Sequence, residues 1–303
     1  VCTADHIEDL LKEKQEGKID TLMNLIVLND FTQEQVNQCY KHDINIFSFS
    51  ELIAEGNNID QQIPDPETDD LFTICYTSGT TGNPKGVMLT HRNMLGLLAS
   101  LARSPISLLN TDVHLSYLPL AHILERIVFH GLLQYGGCIG FYQGDILKIK
   151  EDLAALKPTI FVSVPRMYTK FYDLMQNKVG ELTGLKKKLA TKAINSKLSA
   201  LHKSGSVKHC LYDKLVFKKF KQVLGGRVRL AITGSAPIST EILDFMKIAF
   251  WWDVLEGYGQ TELTGAVSVT FPKDTTKGHV GGVLPSFLLK LVDVPDMQYL
   301  STD

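Results

Sequence analysis

Two short apolar runs, Leu71-Phe-Thr-Ile-Cys-Tyr76 and Val87-Met-Leu-Thr90, are separated by Thr77-Ser-Gly-Thr-Thr-Gly-Asn-Pro-Lys-Gly86. That separator constrains the fold more than any other stretch. A plain hairpin needs roughly two to five connecting residues, and this connection has about ten. It holds three glycines, four hydroxyl side chains (Thr77, Ser78, Thr80, Thr81) and one lysine. Glycine lets the backbone turn sharply and approach a ligand closely. Successive N–H groups in such a turn converge on one anion, and the hydroxyls add donors. Lys85 supplies a mobile point charge suited to phosphate. A surface turn uses the same residue types, but not at this length. A Walker A loop is excluded, because that motif needs Gly-Lys-Ser/Thr opening a helix. Here Pro84 precedes Lys85, and Gly86 and Val87 follow it. The pattern predicts a polyphosphate cradle between two strands.

The rest of the chain alternates strand and helix signals. Ala4 to Lys14 is helix-like, with Ile7, Leu10 and Leu11 on one face. Leu25–Leu28 and Ile44–Phe47 read as short strands around a helix from Thr32 to Tyr40 that Thr32 is placed to cap. The acidic, proline-containing stretch Ile63-Pro-Asp-Pro-Glu-Thr-Asp-Asp70 reads as a linker. Thr90 is placed to cap a helix reaching about Arg103. Strands follow at His114–Leu118, Cys138–Tyr142, Thr159–Val164, Val228–Thr233 and Val254–Tyr258. Helices are expected at Ile123–Gln134 and after Ser239. Such alternation predicts a parallel α/β sheet. Four strand ends carry unusual polar loops: after Tyr76, Leu118, Thr233 and Tyr258. In open α/β sheets ligands bind beyond the carboxyl ends of strands, so these loops are expected to converge on one site.

Charge is segregated although the net is only −2. Residues 1–70 carry 4 basic and 16 acidic side chains, whereas residues 170–229 carry 15 basic and 3 acidic ones. Such blocks act through fields and partners rather than through fold. No window reaches 18 apolar residues, and no signal peptide is evident. The chain opens on Val1 rather than Met, as expected of a piece of something longer. Five cysteines (Cys2, Cys39, Cys75, Cys138, Cys210) lie far apart, arguing against zinc and a disulfide scaffold and for a reducing compartment.

Gly257-Tyr-Gly-Gln-Thr-Glu262 complements the phosphate loop. Tyr258 between two glycines offers an aromatic face with open backbone beside it, suited to stacking on a base. Glu262 is a hard oxygen ligand of the kind that holds Mg²⁺ on phosphates. A core aromatic and a solvated surface charge are the alternatives for the two side chains taken singly.

With these motifs the sequence resembles the adenylate-forming superfamily and, within it, the long-chain acyl-CoA synthetases. The resemblance rests on Tyr76–Gly86, Leu118-Pro-Leu-Ala-His-Ile-Leu-Glu-Arg126, Gly234-Ser-Ala-Pro237, Gly257–Glu262 and Gly278-His-Val-Gly-Gly-Val-Leu-Pro285, in the family's order. It implies stacked αβα subdomains of the family's large N-terminal domain, incomplete at both ends. Residues 1–70 would be part of the first subdomain. Residues 71–270 would form the AMP-binding region with a basic helical insert at about 180–225, and 271–303 would lead toward a barrel and a C-terminal domain. It also implies a two-step ligase. A fatty acid carboxylate attacks the α-phosphate of ATP to give acyl-adenylate and pyrophosphate, and the thiol of coenzyme A then displaces AMP. No nucleophilic side chain is required, so positioning and charge stabilisation are the protein's task.

Carried over by motif, Thr77, Ser78, Gly79, Thr80, Thr81, Gly82 and Lys85 would hold the β and γ phosphates. Tyr258 would stack on adenine between Glu256, Gly257 and Gly259, with Gly234, Ser235, Ala236 and Pro237 on the other side of the base. Thr261 would contact the α-phosphate, Glu262 would bind Mg²⁺, and His122 would sit between ATP and the acyl carboxylate. A capping or core role is the alternative for His122. The resemblance further implies an enzyme on the cytosolic side of an intracellular membrane: endoplasmic reticulum, outer mitochondrial or peroxisomal.

Two other functions are weighed against this. Zinc binding by His114, His122 and His130 is rejected, since their spacing places no two on one helical turn and no His-Glu-x-x-His occurs. The lysine-rich block suits anionic lipid headgroups or a solvated helix face. It does not suit nucleic acid, because aromatic interleaving is absent. Departures from the family pattern stand beside the matches. The chain ends at Leu300-Ser-Thr-Asp303, not at the ribose-binding Thr-Gly-Asp, and the C-terminal lysine domain does not follow. A non-catalytic nucleotide- or lipid-binding module, or an adenylate-former for another acid, therefore remains open. Trp251-Trp252, ahead of the strand into Tyr258, puts the shape of the acyl pocket in question.

Overall fold

The computed structural model describes all residues except 78–81, 105 and 302–303. It divides into two compact units, Val1–Asp65 and Pro66–Asp303.

The first unit is a small α/β layer. Strands β1 (Asn24–Val27) and β2 (Asn45–Ser48) pair in parallel from Asn24↔Asn45 to Val27↔Ser48. Helix α1 (Ile7–Gln15) precedes them and α2 (Gln33–Lys41) connects them. Thr32 caps α2 through a full capping box, accepting from Gln35 N while Gln35 Oε1 accepts from Thr32 N. Ile7, Leu11, Leu25, Val27, Cys39, Ile44 and Ile46 make its core. Helix α3 (Phe49–Gly56) follows β2 directly and has no fully buried residue. Its apolar positions are too few to have marked it in the sequence.

In the second unit, β3 (Leu71–Thr77) and β4 (Lys85–Thr90) form an antiparallel hairpin that ends at Thr77↔Lys85. The glycine-rich run joins these two strands in the sequence. Thr90 caps α4 (His91–Ala102), again with a capping box, through Asn93. The acidic stretch before β3 is fastened to this helix rather than free. His91 N donates to Asp70 O, Arg92 N donates to Thr68 O, and the Arg92 guanidinium grips both oxygens of Asp69 at 2.7 and 2.9 Å. That anchoring explains why the unit boundary falls after Asp65 and not at the start of the strand.

Five parallel strands build the main sheet: β5 (Val113–Ser116), β6 (Cys138–Phe141), β7 (Ile160–Ser163), β8 (Leu230–Thr233) and β9 (Val254–Gln260). Two further strands, β10 (Gly265–Val269) and β11 (Gly282–Val283), complete the order β11-β10-β9-β8-β7-β5-β6. The expected parallel arrangement holds as far as β9, and β10 and β11 are antiparallel. Only a 3₁₀ turn, Thr261–Leu263, links β9 to β10. A parallel crossover needs a dozen or more residues, so the chain has to turn back.

Helices cover both faces. On one side lie α4 and α5 (Ile123–Tyr135), with Leu97, Ile127, Leu132, Ile160, Val162 and Leu255 in the core between. On the other lie α6 (Ile149–Leu156), α7 (Pro165–Gly180), α8 (Gly184–Ser204), α9 (Cys210–Tyr212), a π turn (Asp213–Phe217), α10 (Lys218–Lys221) and α11 (Thr240–Phe250). Their core is aromatic: Phe161, Tyr168, Phe171, Phe217, Phe245 and Phe250. Strand β7 shows the period-2 rule, sending Ile160 and Val162 to one core and Phe161 to the other.

A buried carboxylate ties the starts of three strands. Asp112 accepts from Arg229, from Thr159 Oγ1 at 2.7 Å and from Leu109 N at 2.8 Å. Burial alone would push this carboxyl up, but the hydrogen bonds and the guanidinium charge hold it below the usual carboxylate range.

Candidate active site

The carboxyl ends of β8 and β9 point the same way, because the two strands are parallel neighbours. Between them and α5 lies a cavity of about 280 Å³. Its rim is polar backbone and small side chains: Thr233, Gly234 and Ser235 after β8, and Gly257 to Thr261 along and after β9. Its wall is apolar: Leu101 and Leu108 near α4, then Ile123, Leu124, Ile127 and Val128 on α5. One cavity thus joins hydrogen-bonding groups to a greasy recess.

The rim's backbone is shaped by glycine and by one strained residue. Ser235 takes a left-handed φ of 71° as the chain leaves β8, which is uncommon for a non-glycine residue. At Gly234 an added Cβ would sit 3.2 Å from Gly257 O, so the two loops approach closely. Gly259 is fixed by the sheet itself, since a Cβ there would fall 1.6 Å from Gly265 O on β10. The two glycines beside Tyr258 therefore differ. Gly257 has only ordinary neighbours at 3.7 Å and beyond, while Gly259 permits the β9–β10 pairing. Tyr258 is 44% exposed at the cavity mouth, and its hydroxyl accepts from Gln260 Nε2 at 3.2 Å.

Thr261 and Glu262 stand in the 3₁₀ turn after β9, and this turn packs against β4. The contact brings the glycine-rich hairpin beside the Thr261–Glu262 turn. Lys85, first in β4, and Glu262 are both exposed, and neither has an ion-pair partner among the described residues. Among those residues no group of three His, Cys, Asp or Glu side chains could surround a metal. A lone exposed carboxylate such as Glu262 is of the kind that suits Mg²⁺, which is held by one or two carboxylates plus substrate phosphates. Gly82 has a φ of 90°, and no described residue lies within 4 Å of where its Cβ would stand. Ser78, Gly79, Thr80 and Thr81 lie outside the described residues. Thr77 closes the described part of β3, its hydroxyl 3.5 Å from Lys85 O.

His122 is the N-cap residue of α5, but its imidazole makes no capping bond and is exposed. It lies immediately before the helix face that lines the cavity. His114 is instead buried at 1% exposure on β5, with Nε2 2.9 Å from Glu125 Oε1. His130 packs edge-on to Phe72 at 5.2 Å, where burial and then Arg126 lower its proton affinity. The three histidines thus occupy three separate environments.

Glu256, Ala236 and Pro237 are not among the cavity's lining residues. Glu256 is half-buried, and burial raises its carboxyl above the usual range against the opposing pull of Lys247 and His279. The tryptophans do not shape the cavity either. Trp251 and Trp252 pack against the opposite core, and the recess is bounded by α5 aliphatics. Two features escaped sequence reading: the α5 aliphatics as cavity wall, and the His114–Glu125 pair. A glutamate inside the apolar face of Leu124, Ile127 and Val128 was the available signal for the pair.

A three-layer α/β unit with a glycine-rich hairpin and a cavity at its strand ends has the architecture of an adenylate-forming type of protein. The chain belongs to the AMP-binding enzyme family, which matches it over residues 1–303. It is 41% identical over 302 residues to long chain acyl-CoA synthetase 6, peroxisomal, of Arabidopsis thaliana, covering 100% of this chain and 42% of that protein. It is 43% identical over 299 residues to long-chain-fatty-acid–CoA ligase 5 of Mus musculus, covering 97% and 43%. The chain thus spans less than half the length of these relatives. Among solved structures it resembles the adenylation domain of a carboxylate reductase from Mycobacterium chelonae. The TM-score is 0.74 at 25% identity, over 99% of this chain and 44% of that one. The fold also matches the A-PCP didomain of carboxylic acid reductase from Segniliparus rugosus in complex with AMP. There the TM-score is 0.69 at 24% identity, over 99% of this chain and 40% of that one.

Proposed function

We propose that this chain carries the nucleotide and acyl sites of an ATP-dependent long-chain fatty acid–CoA ligase. The observation that supports it most is the single cavity in which the Gly234–Ser235 and Gly257–Thr261 rim meets the apolar wall of α5. Adenine fits the rim beside Tyr258, and an acyl chain fits the wall. In the first step a carboxylate oxygen bonds to the α-phosphorus of ATP, and the bond to the departing pyrophosphate breaks. In the second, the coenzyme A sulfur bonds to the carbonyl carbon and AMP leaves.

Lys85 and the glycine-rich run (Ser78, Gly79, Thr80, Thr81, Gly82) would neutralise charge gathering on pyrophosphate. Thr261 would donate to the α-phosphate, and His122 would stand between the nucleotide and the carboxylate. Glu262 would hold Mg²⁺, which supplies charge neutralisation on the phosphates when bound. Preorganised donors of this kind account for large parts of a rate enhancement.

ATP–pyrophosphate exchange in the full-length protein, run with fatty acids of increasing chain length, tests this. Exchange should peak with long chains, and Lys85→Ala and Glu262→Gln should each lower it at least about a hundredfold. Wild-type exchange in both variants would overturn the site. Exchange preferring aromatic or amino acids would overturn the substrate class.

A peripheral membrane contact is part of the proposal. The outward side of α8 exposes Lys186, Lys187, Lys188 and Lys192 beside Leu185, which is 85% exposed. No helix among the described residues is long and apolar enough to cross a membrane. Sedimentation with anionic vesicles should weaken as salt rises. Binding unchanged by charge reversal at Lys186, Lys187 and Lys188 would exclude this contact.

A further inference from the structure

The only two tryptophans of the chain are neighbours, Trp251 and Trp252. They stand between α11 and β9, at the end of β9 remote from the cavity. Three lysines approach their ring faces: Lys197, whose Nζ lies 5.7 Å from the Trp251 ring centroid and which pairs with Asp213, and then Lys208 and Lys221. Lys221 Nζ lies 4.9 Å from the Trp251 ring centroid and 5.2 Å from that of Trp252, and Lys208 Nζ lies 5.6 Å from that of Trp252. Each contact has cation–π geometry.

The cluster is rich in donors and poor in acceptors. Among the described residues neither Lys208 nor Lys221 has an ion-pair partner. The acidic side chain that acts on Lys221, Asp213, is already engaged. Its Oδ1 takes Lys197 Nζ at 2.6 Å and its Oδ2 takes His209 N at 2.7 Å. Both indole N–H groups are buried without an acceptor among the described residues, whereas a buried indole ordinarily finds one. Burial and then the charge of Lys208 lower the proton affinity of Lys221. Two like charges are therefore held near one another, and the one carboxylate that acts on Lys221 is already shared with Lys197 and His209 N.

The backbone reinforces the point. Trp251 is the C-cap of α11 and takes a left-handed φ of 64°. Glycine or asparagine normally fills that position, and a bulky side chain there is strained. A tryptophan kept at such a place fits a role beyond ending the helix.

We propose that Lys208, Lys221, Trp251 and Trp252 form a phosphate-binding site separate from the nucleotide cavity. Its ligand is the phosphate group of a lipid headgroup or of a soluble phosphate compound. An ammonium is a natural point-charge partner for phosphate. A bound dianion would relieve the repulsion between the two lysines. Exposed Leu211 and Leu215, on the segment between the two lysines, provide apolar surface compatible with a lipid source. The proposal does not depend on the ligase reading.

Because both tryptophans belong to the site, indole emission reports on it alone. Inorganic phosphate, titrated at constant ionic strength against chloride, should change the emission saturably. In Lys208→Gln/Lys221→Gln the midpoint should move to at least about tenfold higher phosphate. Lys170→Gln/Lys178→Gln, which removes as much charge from exposed positions of α7, should leave the midpoint in place. Lys221→Arg keeps the charge and should retain binding, which separates loss of the ligand from loss of the fold. Phosphatidylcholine vesicles with and without phosphatidic acid distinguish the sources. A response that requires phosphatidic acid assigns the headgroup, and a response to free phosphate alone assigns a soluble compound. No saturable response to either probe would overturn the proposal. So would a midpoint shifted equally by the α7 variant, since net charge alone would then explain it.

Discussion

Replacing Glu125 by leucine should destabilise the 66–303 unit sharply, and the size follows from its surroundings. Glu125 is 0% exposed and His114 is 1% exposed. Their one mutual bond is the 2.9 Å contact from Oε1 to Nε2. Neither Oε2 of Glu125 nor Nδ1 of His114 has a partner among the described residues. Glu125→Leu therefore leaves a buried imidazole with no partner at either nitrogen. Removing one member of such a pair costs about 3–5 kcal/mol. Glu125→Gln keeps an acceptor for Nε2 and should cost about 1 kcal/mol. His114→Leu/Glu125→Leu should recover most of the single-variant loss, because a buried polar pair replaced by apolar groups is often near neutral. Urea unfolding followed by tryptophan emission measures this, as both tryptophans lie in the larger unit. With a slope of about 3 kcal/mol per M, Glu125→Leu should lower the midpoint by about 1 to 1.7 M. A midpoint within about 0.2 M of wild type for Glu125→Leu would refute the reasoning. So would a double variant whose loss equals the sum of the two singles.

Other consequences can be measured directly. Lys197 is 1% exposed, and burial, outweighing its contact with Asp213, lowers it from 10.5 to about 8. Between about pH 8 and 10.5 the unfolded chain then binds more protons than the native one, so this side chain's contribution to stability should rise with pH across that window. Lys197→Met should remove the rise, and identical pH profiles for the two proteins would exclude it. Gly259→Ala places a methyl carbon against Gly265 O and should break the β9–β10 register, costing more than about 3 kcal/mol. The drop in unfolding midpoint reads this cost, and Gly257→Ala should be far milder.

The strands flanking the glycine-rich run, the caps Thr32 and Thr90 and the five parallel strands of the main sheet were legible because they depend on local chemistry. Glycine and proline punctuate the chain, side chains cap helix ends, and apolar periodicity is written residue by residue. The motif residues could likewise be named in the sequence. Their meeting could not, because it is made by contacts between segments far apart in the chain. The Thr261–Leu263 turn reaches β4, and β8 and β9 run side by side. Glu256 belongs to a polar motif yet lies outside the cavity lining, whereas Ile123 and Ile127 look like ordinary core residues and form its wall.

The sequence by itself determined the family motifs: a glycine-rich run lacking a Walker A ending, and the Gly257–Glu262 run with its aromatic and its carboxylate. Only the tertiary structure decided where the recess lies, that the tryptophans stand away from it, and that His114 and Glu125 bury one another. Local signals act over a few residues through backbone torsion and short hydrogen bonds. Burial, close approach and charge pairing depend on which distant segments the sheet brings together, and no short stretch of sequence contains that information.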